Sequence, residues 1–121
     1  MSSIESLFPD ESMTIMIVDD TTENINVLRL TLANFGCKIA VALNGKMALD
    51  LIPKLKPDLI LLDVMMPGIN GFDVCRTLKK DPDLKDIPVI FITANGDSNH
   101  VVEGFEAGAV DFIVKPFRTE E

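Results

Sequence analysis

Asp58-Leu59-Ile60-Leu61-Leu62-Asp63 is a nearly continuous apolar run that closes on a carboxylate. Such a run is typical of a strand that is buried on both faces, as in a parallel sheet. A carboxylate at the end of a buried strand is tolerated only if it is paired or has chemistry to perform. A second apolar run, Ile15 to Val18, ends in the same way with Asp19-Asp20. This repetition predicts an acidic site where two strands end.

The composition predicts one globular domain. The chain has 121 residues, of which 47% are hydrophobic and 25% charged, which is ordinary for a soluble protein with a real core. Its net charge of −8 argues against direct nucleic-acid binding, because phosphate contacts need basic surface. No apolar run approaches the roughly 18 residues of a membrane helix, and residues 1–12 lack the pattern of a signal peptide. We therefore expect a cytoplasmic protein without membrane contact, with a flexible leader at 1–12 and a domain at 13–121. Cys37 and Cys75 are isolated and are expected to be reduced, buried thiols.

Strand and helix patterns alternate along the chain, which favours a doubly wound α/β domain with a five-stranded parallel sheet. The predicted strands are 14–18, 37–42, 58–62, 89–92 and 110–114. Thr21 or Thr22 is expected to cap the first helix, whose apolar face would include Phe35, and Asn44 is expected to cap the second, which Pro53 would kink or shorten. A third helix should follow the loop 67–71, and a fourth should span 98–107. The sequence pattern leaves the helix expected after the fifth strand absent or truncated, so we expect a piece of a longer protein or a domain that a partner completes.

Polar side chains follow four of the five predicted strands. Asp19-Asp20, Asp63, Thr93 and Lys115 end the first, third, fourth and fifth strands, and in an open α/β sheet ligands bind beyond these carboxyl ends. Three carboxylates at one edge repel each other, and a hard divalent cation such as Mg²⁺ relieves that repulsion. With the Lys115 charge and the Thr93 hydroxyl, the set could hold a phosphoryl group against Asp63, which could accept it as an acyl phosphate.

Five motifs give the chain a resemblance to the receiver domain of two-component response regulators. They are Val18-Asp19-Asp20, Leu61-Leu62-Asp63-Val64-Met65-Met66-Pro67-Gly68, Ile92-Thr93-Ala94, Gly108-Ala109-Val110-Asp111 and Lys115-Pro116-Phe117. They occur in the order and spacing of the family and cover about residues 13 to 117. Each motif alone is weak, whereas the ordered set is highly specific. The resemblance implies the flavodoxin-like strand order 2-1-3-4-5.

The resemblance also implies a metal site and a phosphoacceptor. Asp63 would accept the phosphoryl group, and Asp20 and Asp63 would bind Mg²⁺ directly, with Mn²⁺ as an alternative. The backbone carbonyl of Met65 would be the third protein ligand, and Asp19 would act through water. Thr93 and Lys115 would bind phosphoryl oxygens, the lysine being aimed by a cis Lys115-Pro116 bond.

A phosphorylation switch follows from these roles. A histidine kinase or a histidine phosphotransfer protein would donate the phosphoryl group. Thr93 and Phe112 would then move, and the face of the fourth helix and fifth strand would change shape. Met65 and Asn95 would tune the lifetime of the signal, because they flank the hydrolytic water. The resemblance also implies an effector domain in the same parent chain, and the uncovered apolar sheet surface would permit self-association.

Two other functions compete with the switch. Taken singly, Asp19-Asp20 and Asp63 are ordinary turn or cap residues, Thr93 an ordinary strand residue, and His100 an exposed polar one. An interaction module without phosphorylation would therefore be the plain alternative, and failure to bind Mg²⁺ would favour it. An aspartate-nucleophile phosphohydrolase would carry a second aspartate two residues after the nucleophile, where this chain has Met65.

Overall fold

A computed structural model describes residues 13–93 and 98–114 of the chain. Five strands and four helices alternate in these residues, and we number them in chain order. The strands are β1 (Thr14–Val18), β2 (Lys38–Ala42), β3 (Leu59–Asp63), β4 (Val89–Thr93) and β5 (Asp111–Val114). The helices are α1 (Thr22–Ala33), α2 (Gly45–Leu55), α3 (Gly71–Lys79) and α4 (Ser98–Ala107).

All strand pairs in the sheet are parallel, and the strand order is β2-β1-β3-β4-β5. This confirms the predicted fold class and strand order. β2 lies on one side of β1, and β3, β4 and β5 follow on the other side. The topological switch point of the sheet, where the strand order reverses, therefore lies between β1 and β3. Residues 1–12 and 115–121 are not described, so the predicted leader and the predicted truncation of the last helix stay untested.

Apolar side chains form a core on each face of the sheet. The larger core joins β1, β3 and β4 to buried side chains of α2 and α3, including Ile52, Phe72 and Cys75. The smaller core packs Ile25 and Leu28 of α1 against Ile15, Ile17, Leu61 and Ile92. β3 contributes to both cores, which explains why its sequence is apolar at almost every position.

Five local expectations can be compared with the structure. Asn44 caps α2 as predicted, its side chain accepting a hydrogen bond from the Met47 N–H at 2.8 Å, and α2 continues through Pro53 to Leu55. The prediction that Phe35 lies on the apolar face of α1 is wrong, because α1 ends at Ala33 and the chain then turns at Gly36, whose φ is 74°.

Cys75 is buried, and its burial raises the pKa of the thiol. Cys37 is only half-buried, which corrects its prediction.

Asn70 fixes the start of α3, the helix that follows the acidic strand end. Its side-chain oxygen accepts a hydrogen bond from the Asp73 N–H at 2.9 Å. We expect Asn70→Ala to lower the free energy of unfolding by about 1 kcal/mol, because this N–H loses its cap. Urea denaturation measures the change. Asn34→Ala is the matched control, since Asn34 is exposed at the C-terminal end of α1 and caps no helix N-terminus. Equal effects of the two substitutions would contradict the capping role.

Candidate functional site

The pairing register of β1 and β3 brings the acidic residues together. Val18 lies opposite Leu62 in the parallel pair. The next residue of each chain segment is Asp19 or Asp63, so the two carboxylates stand side by side at the carboxyl edge of the sheet. This edge lies where the direction of strand succession reverses, the position at which ligands bind in open α/β sheets.

Asp19, Asp20 and Asp63 form a compact carboxylate cluster. One oxygen from each lies within 4.8 Å of the others. Asp19 and Asp63 are only 1% and 3% exposed, whereas Asp20 faces solvent. At an effective dielectric constant near 20, two unit charges 4 Å apart repel by about 4 kcal/mol. A cluster of oxygen donors that is buried on one side and open on the other fits a hard divalent cation that retains some of its water.

The turn after β1 holds Asp19 in place. The Thr21 N–H donates a hydrogen bond to Asp19 Oδ1 at 2.9 Å, and the Asp19 N–H donates to the Ala42 carbonyl at 3.1 Å. These bonds orient the buried carboxylate, while Asp20 remains exposed beside it. The two aspartates therefore differ in role: Asp19 belongs to the framework of the site and Asp20 to its open side.

The loop after β3 wraps closely around Asp63. The Met65 N–H donates to Asp63 Oδ1 at 3.3 Å, and the Gly71 N–H donates to the Val64 carbonyl at 3.0 Å. A Cβ at position 71 would collide with the Asp63 carbonyl oxygen and lie 3.0 Å from Val64 Cα. The absence of a side chain at Gly71 therefore lets α3 begin directly against the acidic strand end. The Met65 side chain is 65% exposed.

The neighbouring strands place the two predicted switch residues. Thr93 ends β4 next to β3, one residue beyond the partner of Asp63, and is 1% exposed. Phe112 lies opposite Phe91 in the β4–β5 pair, and their ring centroids are 5.4 Å apart. Lys115, Asn95 and the predicted cis Lys115-Pro116 bond lie outside the described residues. Their roles stay predictions.

An open groove adjoins the exposed side of the cluster. It has a volume of about 610 Å³ and is lined by Asp20, Leu43, Asn44, Lys46, Pro67, Gly68 and Ile69. The groove contains both polar and apolar lining residues and lies between the start of α2 and the β3–α3 loop.

The sequence did not reveal two features of the site. The first is the hydrogen bond from the Thr21 N–H to Asp19 Oδ1. Thr21 is the N-cap residue of α1, as predicted, but its side chain makes no capping hydrogen bond. The second is the close approach of Gly71 to the Asp63 carbonyl. Glycine after asparagine signals a turn, and we assigned Gly71 to a loop for that reason. Only the packing of α3 against β3 shows that the glycine is needed for space.

Fold and site together define a doubly wound α/β domain with an acidic, cation-compatible site at its switch point. The family model of the response regulator receiver domain matches residues 15–121. The chain therefore belongs to the response regulator receiver domain family, the phosphorylation-dependent switches of two-component signalling. In the part of the chain that the structure describes, no helix is long and apolar enough to cross a membrane.

Relatives and solved structures agree with this assignment. The DNA-binding response regulator MtrA of Mycobacterium tuberculosis is 43% identical over 107 residues, which cover 88% of this chain and 46% of MtrA. The response regulator PleD of Caulobacter vibrioides is 44% identical over 105 residues, covering 87% of this chain and 23% of PleD. The chain thus spans about half or less of the length of these relatives. The crystal structure of a putative response regulator from Chloroflexus aurantiacus matches with a TM-score of 0.83 and 39% identity, covering 88% of this chain and 87% of the other.

Proposed function

We propose that Asp63 is the residue that receives the phosphoryl signal and that the carboxylate cluster binds the metal for this reaction. The observation that carries the proposal is the meeting of Asp19, Asp20 and Asp63 within 4.8 Å at the switch point of the sheet. Asp63 ends the central strand β3 and pairs with Ile92 of β4, while the pairing with β1 reaches Leu62, the residue just before it. The Asp63 carboxylate accepts a hydrogen bond from the Met65 N–H, which helps to orient it as a nucleophile requires.

The residues present fit Mg²⁺, with Mn²⁺ as an alternative. Asp20 and Asp63 would supply direct carboxylate ligands, the Met65 carbonyl a third oxygen, and Asp19 a contact through water. Bound there, a divalent cation would neutralise the charge that gathers between the carboxylates and an incoming phosphoryl group. The loop geometry supports the Met65 assignment, because Met65 is tied to Asp63 through its N–H.

The phosphoryl transfer is a displacement at phosphorus. An oxygen of the Asp63 carboxylate forms a new P–O bond, and the P–N bond of a phosphohistidine donor breaks. The electron pair of that bond leaves with the imidazole nitrogen, and the product on this chain is an acyl phosphate. Acetyl phosphate would serve equally as a small donor, with acetate as the leaving group. Thr93, buried beside Asp63, and Lys115 would bind the phosphoryl oxygens.

Metal binding offers a test that is independent of phosphorylation. We expect Asp20→Asn to weaken Mg²⁺ binding by at least about tenfold, because a direct anionic ligand is lost. Isothermal titration of the unphosphorylated protein measures this. Asp50→Asn is the matched control: it removes the same charge from an exposed position in α2, where Asp50 pairs with Lys46. Equal Mg²⁺ affinities in the two variants would remove Asp20 from the metal site.

The partners follow from the same chemistry. A histidine kinase or a histidine phosphotransfer protein would donate the phosphoryl group in the cytoplasm, and the groove beside Asp20 supports access from that side. The response would appear on the face of α4 and β5, where Val102, Phe105, Val110 and Ile113 are exposed apolar side chains. Such a face suits an effector domain of the parent protein or a second copy of the chain. MtrA is a DNA-binding response regulator, and this supports an effector elsewhere in the parent chain.

The lifetime of the acyl phosphate would depend on side chains beside the attacking water. Met65 is two residues after Asp63, and its side chain is mostly exposed. It offers no hydrogen bond that could orient a water molecule, so it would shield the bond. Asn95 would act from the other side with a polar group. The chemistry that this proposal assigns to the domain is the gain and loss of its own phosphoryl group.

A further inference from the structure

Phe112 lies in a stack of aromatic rings that reaches from the core to the surface of α4. Its ring centroid is 5.4 Å from that of the fully buried Phe91 and 5.6 Å from that of the exposed Phe105. Phe91 in turn meets Phe72, at the start of α3, with centroids 5.1 Å apart. Phe112 is half-buried, so its ring is the one member of this stack placed between the core and solvent.

Gly104 of α4 provides the space in which the Phe112 ring lies. A Cβ built on Gly104 would collide with Cε1 and Cζ of Phe112 and would lie 3.0 Å from Cδ2 of Phe91. The ring therefore occupies the volume that any other residue at position 104 would fill. Gly104 is also in the interior of a helix, where glycine is unfavourable relative to alanine. Its presence in α4 has a packing reason.

Hydrogen bonds to neighbouring residues restrain the position of α4 near Gly104. Glu103 of α4 accepts a hydrogen bond from Arg76 of α3 at 2.8 Å, and the Cys75 thiol donates to the Ala107 carbonyl at 3.3 Å. The Ala109 N–H donates to the Gly104 carbonyl at 3.1 Å. These contacts link α4 to α3 and to the segment before β5 on both sides of Gly104. A side chain at position 104 would therefore displace the far end of the Phe112 ring.

We infer that Gly104 is a positioning residue for Phe112: the missing side chain at position 104 provides the space, here called the seat, in which the Phe112 ring packs against α4. Alanine at position 104 would raise the free energy of the conformation in which the Phe112 ring packs against position 104 (the seated ring). It would leave the free energy of other ring conformations (the unseated ring) unaffected. An overpacking cost of ordinary size would shift the ratio of seated to unseated ring by roughly five- to 150-fold. The link from this seat to signalling rests on the proposed phosphorylation of Asp63.

NMR of phenylalanine-labelled protein tests the seat without any ligand. The Phe112 resonances are assigned by their loss in Phe112→Leu. We expect contacts between the Phe112 ring protons and the Gly104 α protons in the native chain. In Gly104→Ala the ring resonances should shift and their contacts with Phe91 should weaken. Glu106→Ala, an exposed change on the same helix, should leave them unchanged. Unaltered Phe112 resonances and contacts in Gly104→Ala would overturn the inference.

A double-mutant cycle separates the seat from general effects on the helix. Leucine lacks the Cε1 and Cζ atoms that the new methyl group would meet. We therefore expect Gly104→Ala to lower the melting temperature of the native chain by more than that of Phe112→Leu, in which only the closer approach to Phe91 Cδ2 and the helix-propensity gain remain. An equal effect of Gly104→Ala in both backgrounds would contradict a specific contact between positions 104 and 112.

Beryllofluoride with Mg²⁺ tests the link to the switch. It should shift the Phe112 resonances in the native chain, and the shift should shrink in Gly104→Ala because one ring position is penalised throughout. If amide resonances around Asp63 respond while those of Phe112 do not, the seat has no part in switching and the inference is wrong. A complete lack of response around Asp63 would instead contradict the proposed function, and the ligand-free comparisons would still decide whether Gly104 seats the ring.

Discussion

Asp63→Asn will reduce the incorporation of phosphoryl groups from acetyl phosphate and Mg²⁺ to background. Asparagine preserves the shape of the side chain but replaces an anionic oxygen nucleophile by a carboxamide, which forms no acyl phosphate under these conditions. Asp63 is 3% exposed and ends the central strand β3, and the proposal assigns the acceptor role to this carboxylate alone. Intact-mass spectrometry of the protein measures the modified fraction.

Asp83→Asn is the control for this loss. It makes the same change of charge at an exposed position in the segment between α3 and β4, away from the carboxylate cluster. Its modified fraction should equal that of the native chain. Full modification of Asp63→Asn would show that another residue accepts the phosphoryl group, and loss of modification in both variants would point to net charge as the cause.

Gly71→Ala will have a large effect on stability. The added methyl group would meet the Asp63 carbonyl oxygen and Val64 Cα, both backbone atoms that cannot rotate away. Overpacking costs about 1–3 kcal/mol in general, and we expect the upper end of this range here because the crowded atoms are fixed by the β3–β4 pair. Urea denaturation measures the loss. The phosphorylation rate of the folded fraction should fall as well, because the strand end that carries Asp63 must shift.

Gly68→Ala separates crowding from backbone strain in the same loop. Gly68 has a φ of 77°, but a Cβ there would have no atom within 4 Å. Strain alone should cost about 1 kcal/mol, with little effect on phosphorylation. If Gly71→Ala is as stable as the native chain, the close approach of α3 to Asp63 is not a constraint of the site.

The sheet was predictable because its signals are local. The apolar runs at β1, β3 and β4 are long enough to identify buried strands, and Asn44 marks a helix start by its own hydrogen bond. Phe35 was misplaced because helical periodicity continues past the residue at which the chain actually turns. The prediction that Cys37 is buried was wrong because an apolar sequence pattern does not show whether other elements cover residues at the edge of the sheet. Both errors concern positions where tertiary packing decides.

The carboxylate cluster was predictable for a different reason. Parallel strands end at a common edge, so Asp19, Asp20 and Asp63 had to meet if the strands were correctly assigned. Close approaches have no such signature. The spaces at Gly71 and Gly104 depend on which atoms of β3 and β5 lie against the two helices, and the sequence alone does not give these distances.

The central claim is that Asp63 itself carries the phosphoryl group. Borohydride reduces an acyl phosphate of aspartate to homoserine, which marks the modified position permanently. The native chain would be treated with acetyl phosphate and Mg²⁺, reduced, digested and sequenced by mass spectrometry. We predict homoserine at position 63 alone, and none when Mg²⁺ is chelated before the reaction. Homoserine at another aspartate with position 63 intact would contradict the assignment of the acceptor.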